Sequence, residues 1–296
     1  MKYKTLLIQA GLIVLFIILI TNPKASFEGA SMGLTLWATT VLPGLFPAMI
    51  ISSAILKFIP MHPSYRYIYI IICGLFCGYP LGAILCGQIH QSAPDEKICE
   101  KIMPYCNVSS PSFIINYIML MSCFNNINIL TVLAIAYLPA IEVLICIIIL
   151  NRKNILKTNC YVADRQVTPH FTDIIDSSLI QSIKNILKLG GYITIFACLS
   201  TVINTIINSG ITIKAIFSGV VEITNGIFMC NSLPIDNNIK IIIIMTINAF
   251  GGISTIMQTM GMIKDTGLSI KKYIYHKVLF AMLTALNAIF VIYVLL

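Results

Sequence analysis

The fold class this sequence predicts is an all-α polytopic membrane protein, and three observations predict it. Apolar residues make up 58% of the 296 positions and charged residues only 10%, against roughly 25% charge in a soluble domain. The apolar residues gather in long unbroken runs of about 20, the length that crosses a bilayer core. Glycine and proline interrupt some of those runs at mid-length, which predicts about eight or nine membrane segments with two broken or re-entrant helices. A β-barrel is excluded, because its strands would alternate apolar and polar residues.

The first run, Leu6 to Ile20, follows Lys2 and Lys4 and lacks a small-x-small cleavage pattern before Asn22-Pro23-Lys24. It reads as a retained span, with residues 1–32 forming an N-terminal span and loop. Further segments fall at about 33–56, 67–90, 102–122, 127–150, 179–208, 212–230, 241–263 and 273–296. The hydrophilic stretch 151–178, with Arg152, Lys153, Lys157, Asp164, Arg165, Asp173 and Asp176, separates a first half at 33–150 from a second at 179–296. With Lys2 and Lys4 inside, the Lys57–Arg66 turn also falls inside. The basic stretch after residue 150 stays inside only if 67–90 enters the membrane and turns back. That segment carries Gly74, Gly78, Tyr79-Pro80 and Gly82, so topology and helix breakers agree on a break.

The halves resemble each other. Phe76-Cys77-Gly78 matches Phe250-Gly251-Gly252 at an offset of 174, and Gly87, Ile89 and Lys97 match Gly261, Ile263 and Lys271 at the same offset. Paired glycine-interrupted segments in two halves point to a transporter's binding site. Both halves are therefore read as pseudo-symmetric repeats, and the charges leave open whether they are inverted.

Four polar clusters inside apolar sequence are candidates for chemistry. The first is Gly78, Tyr79, Pro80 and Gly82, where exposed helix ends would offer amides to a carboxylate; a proline kink serving packing is the alternative. The second is Asn107, Ser109 and Ser110, with a further break expected at Pro111. These residues suit a wet cavity, or else hydrogen bonds between helices. The third is Glu222, Thr224 and Asn225. An intramembrane carboxylate is a cation, proton or ligand-orienting site, unless it pairs with a lysine near an interface; Glu142, without polar neighbours, ranks below it. The fourth is Gly251, Gly252, Ser254 and Gln258, where Ser254 and Gln258 share a helical face and the glycines alternatively serve packing. Lys184 and Lys188 are candidate entry charges or interfacial anchors.

Enzyme chemistry finds no support. The four histidines lie in or near loops, and GxSxG, HExxH and P-loop patterns are missing. The ten cysteines form no CxxC pair and read as small packing residues. The formal charge of +8 reads as cytoplasmic loop lysines rather than a nucleic-acid surface. No cofactor is expected, and a coupling ion is left open.

Taken together, the run Gly74-Leu75 through Gly78-Tyr79-Pro80-x-Gly82-Ala83, the motif Asn107-x-Ser109-x-Pro111, Glu222-Ile223-Thr224-x-Gly226 and Phe250-Gly251-Gly252-x-Ser254 resemble the YlbJ/SpoVV sporulation integral membrane proteins. That family belongs to the nucleoside-recognition, or Gate, domain group, similar to part of the concentrative nucleoside transporters. The resemblance implies two Gate-like repeats and a small anionic substrate, dipicolinic acid, moved from the mother cell across the outer forespore membrane. It leaves a nucleoside carrier and a non-transporting structural or signalling protein as alternatives. The chain is short for the family, and Ser110 stands where relatives more often carry Asn. The expected partners are the lipid bilayer and the small anion. Broken-helix N-termini and Asn and Ser donors suit a planar dicarboxylate, with Tyr79 or Phe76 placed to stack on a ring.

Overall fold

The computed structural model describes residues 2–58, 63–92, 97–152, 170–207 and 210–295, and these are helical throughout, with short turns and no strand. Helices are what an apolar solvent imposes, since each amide must find its partner within its own segment. Five are long and apolar enough to cross a membrane: Pro23–Lys57, Ile129–Leu150, Phe171–Ile206, Asn237–Ile263 and Ile270–Leu295. Shorter apolar helices at Gln9–Thr21, Tyr65–Cys77 and Ile211–Val221 join them. Large apolar side chains such as Leu12, Phe16, Leu138, Ile149 and Leu286 point outward, as a lipid-facing shell requires.

In chain order the helices are α1 (Lys2–Thr21), α2 (Pro23–Leu36), α3 (Leu42–Phe58), α4 (Pro63–Cys77), α5 (Leu81–Ser92), α6 (Ile98–Cys106) and the single turn α7 (Pro111–Phe113). There follow α8 (Ile129–Leu150), α9 (Phe171–Ile206), α10 (Ile211–Val221), α11 (Ile223–Asn231), α12 (Asn237–Phe250), α13 (Gly252–Ile263) and α14 (Ile270–Phe290). Wide π turns join α2 to α3 at Trp37–Val41, extend α7 at Ile114–Ile118 and close the chain at Val291–Leu295.

Three expectations need correction. Residues 23–32, assigned to a loop, are helical because Ala25, Gly29 and Gly33 make a small-residue face against α9. A Cβ on Gly29 would fall 2.7 Å from the Cys198 Cα, so backbone contact replaces the hydropathy that this polar stretch lacks. The hydrophilic connection does not reach residue 178: α9 starts at Phe171, with Asp173 in the first turn, where the helix dipole favours a carboxylate. Residues 153–169 of that connection, and His62, lie outside the described residues. Besides the two broken elements and the further break expected at Pro111, found at 78–80, 251 and 107–110, the apolar segments are interrupted at 222.

The helices preceding the two matched motifs, Pro63–Cys77 and Asn237–Phe250, start 174 positions apart. Gly78 and Gly252, at the same offset, both take positive φ, 84° and 75°.

Candidate functional site

Each interruption is written in local sequence. α4 stops at Cys77 because Gly78 takes φ 84°, and a cis Tyr79–Pro80 bond then leads into α5. Glycine is required at 78 twice over. Positive φ costs an ordinary residue about 1–2 kcal/mol, and a Cβ would sit 2.6 Å from the Ser110 amide. Gly82 similarly lies against the Cys106 carbonyl, 2.7 Å from where a Cβ would be, so its role is close packing of the first interruption onto the second. At that second interruption α6 ends at Cys106. Ser110 then takes extended backbone, accepts a hydrogen bond from the Phe113 amide at 3.2 Å and is followed by Pro111 in the first turn. Serine followed by proline is a strong helix start.

The third interruption is Glu222 itself, extended at φ −146° and ψ 126°. Its carboxylate caps α11, accepting from the Asn225 amide at 2.9 Å and from the Thr224 hydroxyl. The fourth is Gly251 at φ 83°, a left-handed helix stop, and α13 begins immediately after it with no side-chain cap.

Buried hydrogen bonds tie the interruptions together. Asn107 Nδ2 donates to Thr259 Oγ1 and to the Tyr273 hydroxyl, each at 3.0 Å, and its Oδ1 accepts from the Ala83 amide at 3.4 Å in the first turn of α5. Ser109 Oγ donates to Asn248 Oδ1 at 2.6 Å, while its carbonyl accepts from the Tyr137 hydroxyl at 2.6 Å. The Tyr117 hydroxyl donates to the Thr224 carbonyl at 2.9 Å. Asn225 Nδ2 reaches the Ala197 carbonyl on α9 at 3.3 Å.

Three of these interruptions, at Gly78–Tyr79, Ser109–Ser110 and Glu222, border a cavity of about 230 Å³. Of the residues singled out in the sequence motifs, Phe76, Gly78, Tyr79, Ser109, Ser110, Glu222, Thr224 and Gln258 line it. The others stand behind the wall. Pro80 and Gly82 are buried at the start of α5. Asn107 and Asn225 hold helix ends through the bonds above. Gly251 lies against Tyr79, whose hydroxyl would be 2.8 Å from a Cβ there, and Gly252 packs on the closing carbonyls of α10. Ser254 accepts from Gln258 Nε2 at 3.0 Å. Glu142 is exposed on α8 and outside the cavity.

Three contributors escaped the sequence reading. Thr255 lines the cavity from α13, and Thr40 from the π turn after α2. Lys277 on α14 is fully buried. Its Nζ donates to the Asn107 carbonyl at 3.1 Å and lies over the rings of Tyr79, at 4.9 Å, and Phe280, at 5.0 Å. The signal was present: Tyr273, Lys277, Phe280, Ala281, Thr284 and Ala288 recur at helical spacing as the buried face of α14.

The electrostatics are asymmetric. Glu222 is the one ionisable acid in the wall, and two donors already occupy its carboxylate. Side chains cap the amides of α5, α7 and α11, whereas α13 starts without a side-chain cap, its first residue packed on the closing carbonyls of α10. Beside it the Tyr79 hydroxyl is buried with no hydrogen-bond partner among the described residues, and Lys277 lies behind the Tyr79 ring. One side of the cavity therefore offers a hydrogen-bond donor near a cation, and the other a carboxylate. Leu36, Leu45, Phe113, Leu189 and Ile193 make much of the remaining wall apolar. Among the described residues no group of three His, Cys, Asp or Glu side chains could hold a metal ion.

The chain is similar to the sporulation integral membrane protein YlbJ of Bacillus subtilis (strain 168). It is 25% identical to that protein over 328 aligned positions, which take in 94% of this chain and 80% of YlbJ. No family model matches the chain, and no solved structure matches it.

Proposed function

We propose that this chain, which belongs to the YlbJ-like family of integral membrane proteins, is a secondary transporter or facilitator for a small planar anion, dipicolinate, acting in the outer forespore membrane during endospore formation. One observation carries the reading: three helix interruptions far apart in sequence, at Gly78–Tyr79, Ser109–Ser110 and Glu222, border one cavity, which α13 lines with Thr255 and Gln258 just beyond the fourth. Discontinuous helices around a midplane site are the architecture of secondary carriers. The Tyr79 hydroxyl, with Lys277 over its ring, supplies a donor near a cation for a carboxylate. At about 230 Å³ the cavity is smaller than the roughly 300–1,000 Å³ of pockets for drug-sized ligands, which suits a compact metabolite. The halves at 33–150 and 179–296 are read as two Gate-like repeats whose interruptions at Gly78 and Gly252 correspond. A carrier is favoured over an enzyme because helix interruptions border the cavity and the Glu222 carboxylate serves as the cap of α11, and no cofactor is needed for this reading.

The test is uptake of labelled dipicolinate by proteoliposomes, with unlabelled dipicolinate and uridine as competitors. Saturable uptake displaced by dipicolinate and not by uridine supports the reading. Displacement by uridine alone would make the chain a nucleoside carrier. Neither uptake nor ligand-dependent thermal stabilisation would leave a structural or signalling membrane protein. In a spore-former, deletion of the gene should lower spore dipicolinate content, and dipicolinate supplied externally should restore it.

A further inference from the structure

A second cavity, of about 560 Å³, is built from the same helices further along their lengths. On α9, Leu189 and Ile193 face the first cavity, while Gln181, Asn185 and Lys188 face the second. On α3 the order is Leu45 for the first and Leu56 and Lys57 for the second, with buried Met49 and Ser53 at the intervening turns. α13 carries Thr255 and Gln258 to the first, and Met262 and the following Asp265 to the second. The α4–α5 arm likewise gives Gly78 and Tyr79 to one, and Gln88 and Gln91 to the other. Spacings of three and four residues keep these positions on one helical face, so the two cavities lie in line along one helix-lined axis.

Their chemistry differs. The second cavity gathers Lys57, Arg66 and Lys188 against a single acid, Asp265, with carboxamides between them. Lys57 and Arg66 flank the α3–α4 turn and Lys188 comes from α9, so cations from separate elements converge on one concavity. Gln88 Nε2 donates to Ser53 Oγ at 3.3 Å, which continues the polar lining inward from the cations. Exposed lysines scattered along a membrane surface need only be anchors. Three cations around a concavity focus anions there.

We propose that this second cavity is a basic vestibule, a separate low-affinity site that binds a soluble carboxylate or phosphate anion and feeds the inner cavity. It rests on the transporter reading for its purpose, although anion binding there can be judged independently. The experiment uses the whole chain in phosphatidylcholine nanodiscs and vesicles, with sodium sulfate and dipicolinate as probes. Sulfate should raise the unfolding temperature of wild type and of Glu222→Gln equally, and Arg66→Gln should abolish that rise while Arg66→Lys restores it. In uptake, the Arg66→Gln/Lys188→Gln double variant should raise KM for dipicolinate about tenfold, with kcat within about twofold and a flattened salt dependence. Equal sulfate stabilisation in wild type and Arg66→Gln, or unchanged KM and salt dependence in the double variant, overturns the vestibule. An anionic lipid headgroup has the same chemistry. Should Arg66-dependent stabilisation appear only when phosphatidylglycerol is present, the site belongs to lipid and the proposal falls. Failure of the carrier reading reads out differently: wild type takes up no dipicolinate, while the sulfate arm still decides the vestibule.

Discussion

Replacing Lys277 with methionine separates function from stability. The side chain is fully buried, and the salt bridge among the described residues, Lys272 to Glu100, lies elsewhere. In the fold the ammonium gains one charge-assisted hydrogen bond to the Asn107 carbonyl, worth about 1.5–3 kcal/mol. Its place over the Tyr79 and Phe280 rings is worth about 2 kcal/mol when desolvated. Against these stands a desolvation cost of several kcal/mol for an ion without a carboxylate partner. Methionine keeps the unbranched apolar stem and removes the charge. Lys277→Met should therefore leave the unfolding free energy within about 2 kcal/mol of wild type, or raise it. Dipicolinate uptake should nevertheless fall at least about tenfold, because the cation over the Tyr79 ring is gone; tenfold is about 1.4 kcal/mol. The assays are denaturant unfolding in detergent and vesicle uptake on the same preparation. Wild-type uptake would refute the electrostatic role, and a loss of stability above about 3 kcal/mol would make Lys277 a structural post instead.

Glu222→Gln retains an oxygen that can accept from the Asn225 amide, so α11 should keep its start and stability should change by less than about 1 kcal/mol. Uptake should fall about tenfold, and unchanged uptake takes Glu222 out of the site. Tyr79→Phe removes a buried hydroxyl that has no hydrogen-bond partner among the described residues, so folding should be neutral or slightly better, while dipicolinate binding weakens by about five- to tenfold for one lost hydrogen bond; equal titration curves for the two proteins would contradict this. Gly78→Ala combines about 1–2 kcal/mol of left-handed backbone strain with a Cβ pressed on the Ser110 amide. Its unfolding temperature should drop by several degrees, and a melt like that of wild type would contradict the fit of the two interruptions.

Local features of this fold were legible and convergent ones were not. Gly78 with Pro80, Ser110 with Pro111, and Gly251 with Gly252 stop or start helices through their own backbone chemistry, so those interruptions can be read one residue at a time. The interruption at Glu222 carries neither a glycine nor a proline at its own position. It becomes visible only when the carboxylate is recognised as the cap of the following helix. Pro23–Leu36 was missed for a different reason. Its hydropathy is interrupted by Lys24, Ser26 and Glu28, and what holds it is the approach of Gly29 and Gly33 to α9, a contact made with residues far along the chain. Lys277 was not singled out at all, although it follows Lys271 and Lys272 in the same apolar segment. Hydropathy averages over a window and cannot say which face of a helix a single cation occupies. The period of Tyr273, Lys277, Phe280 and Thr284 can, since a helix that buries Tyr273 and Phe280 carries Lys277 inward with them. In a chain with 10% charged residues, the position of a lysine on a helical face therefore tells more about the site than its distance from the end of an apolar run.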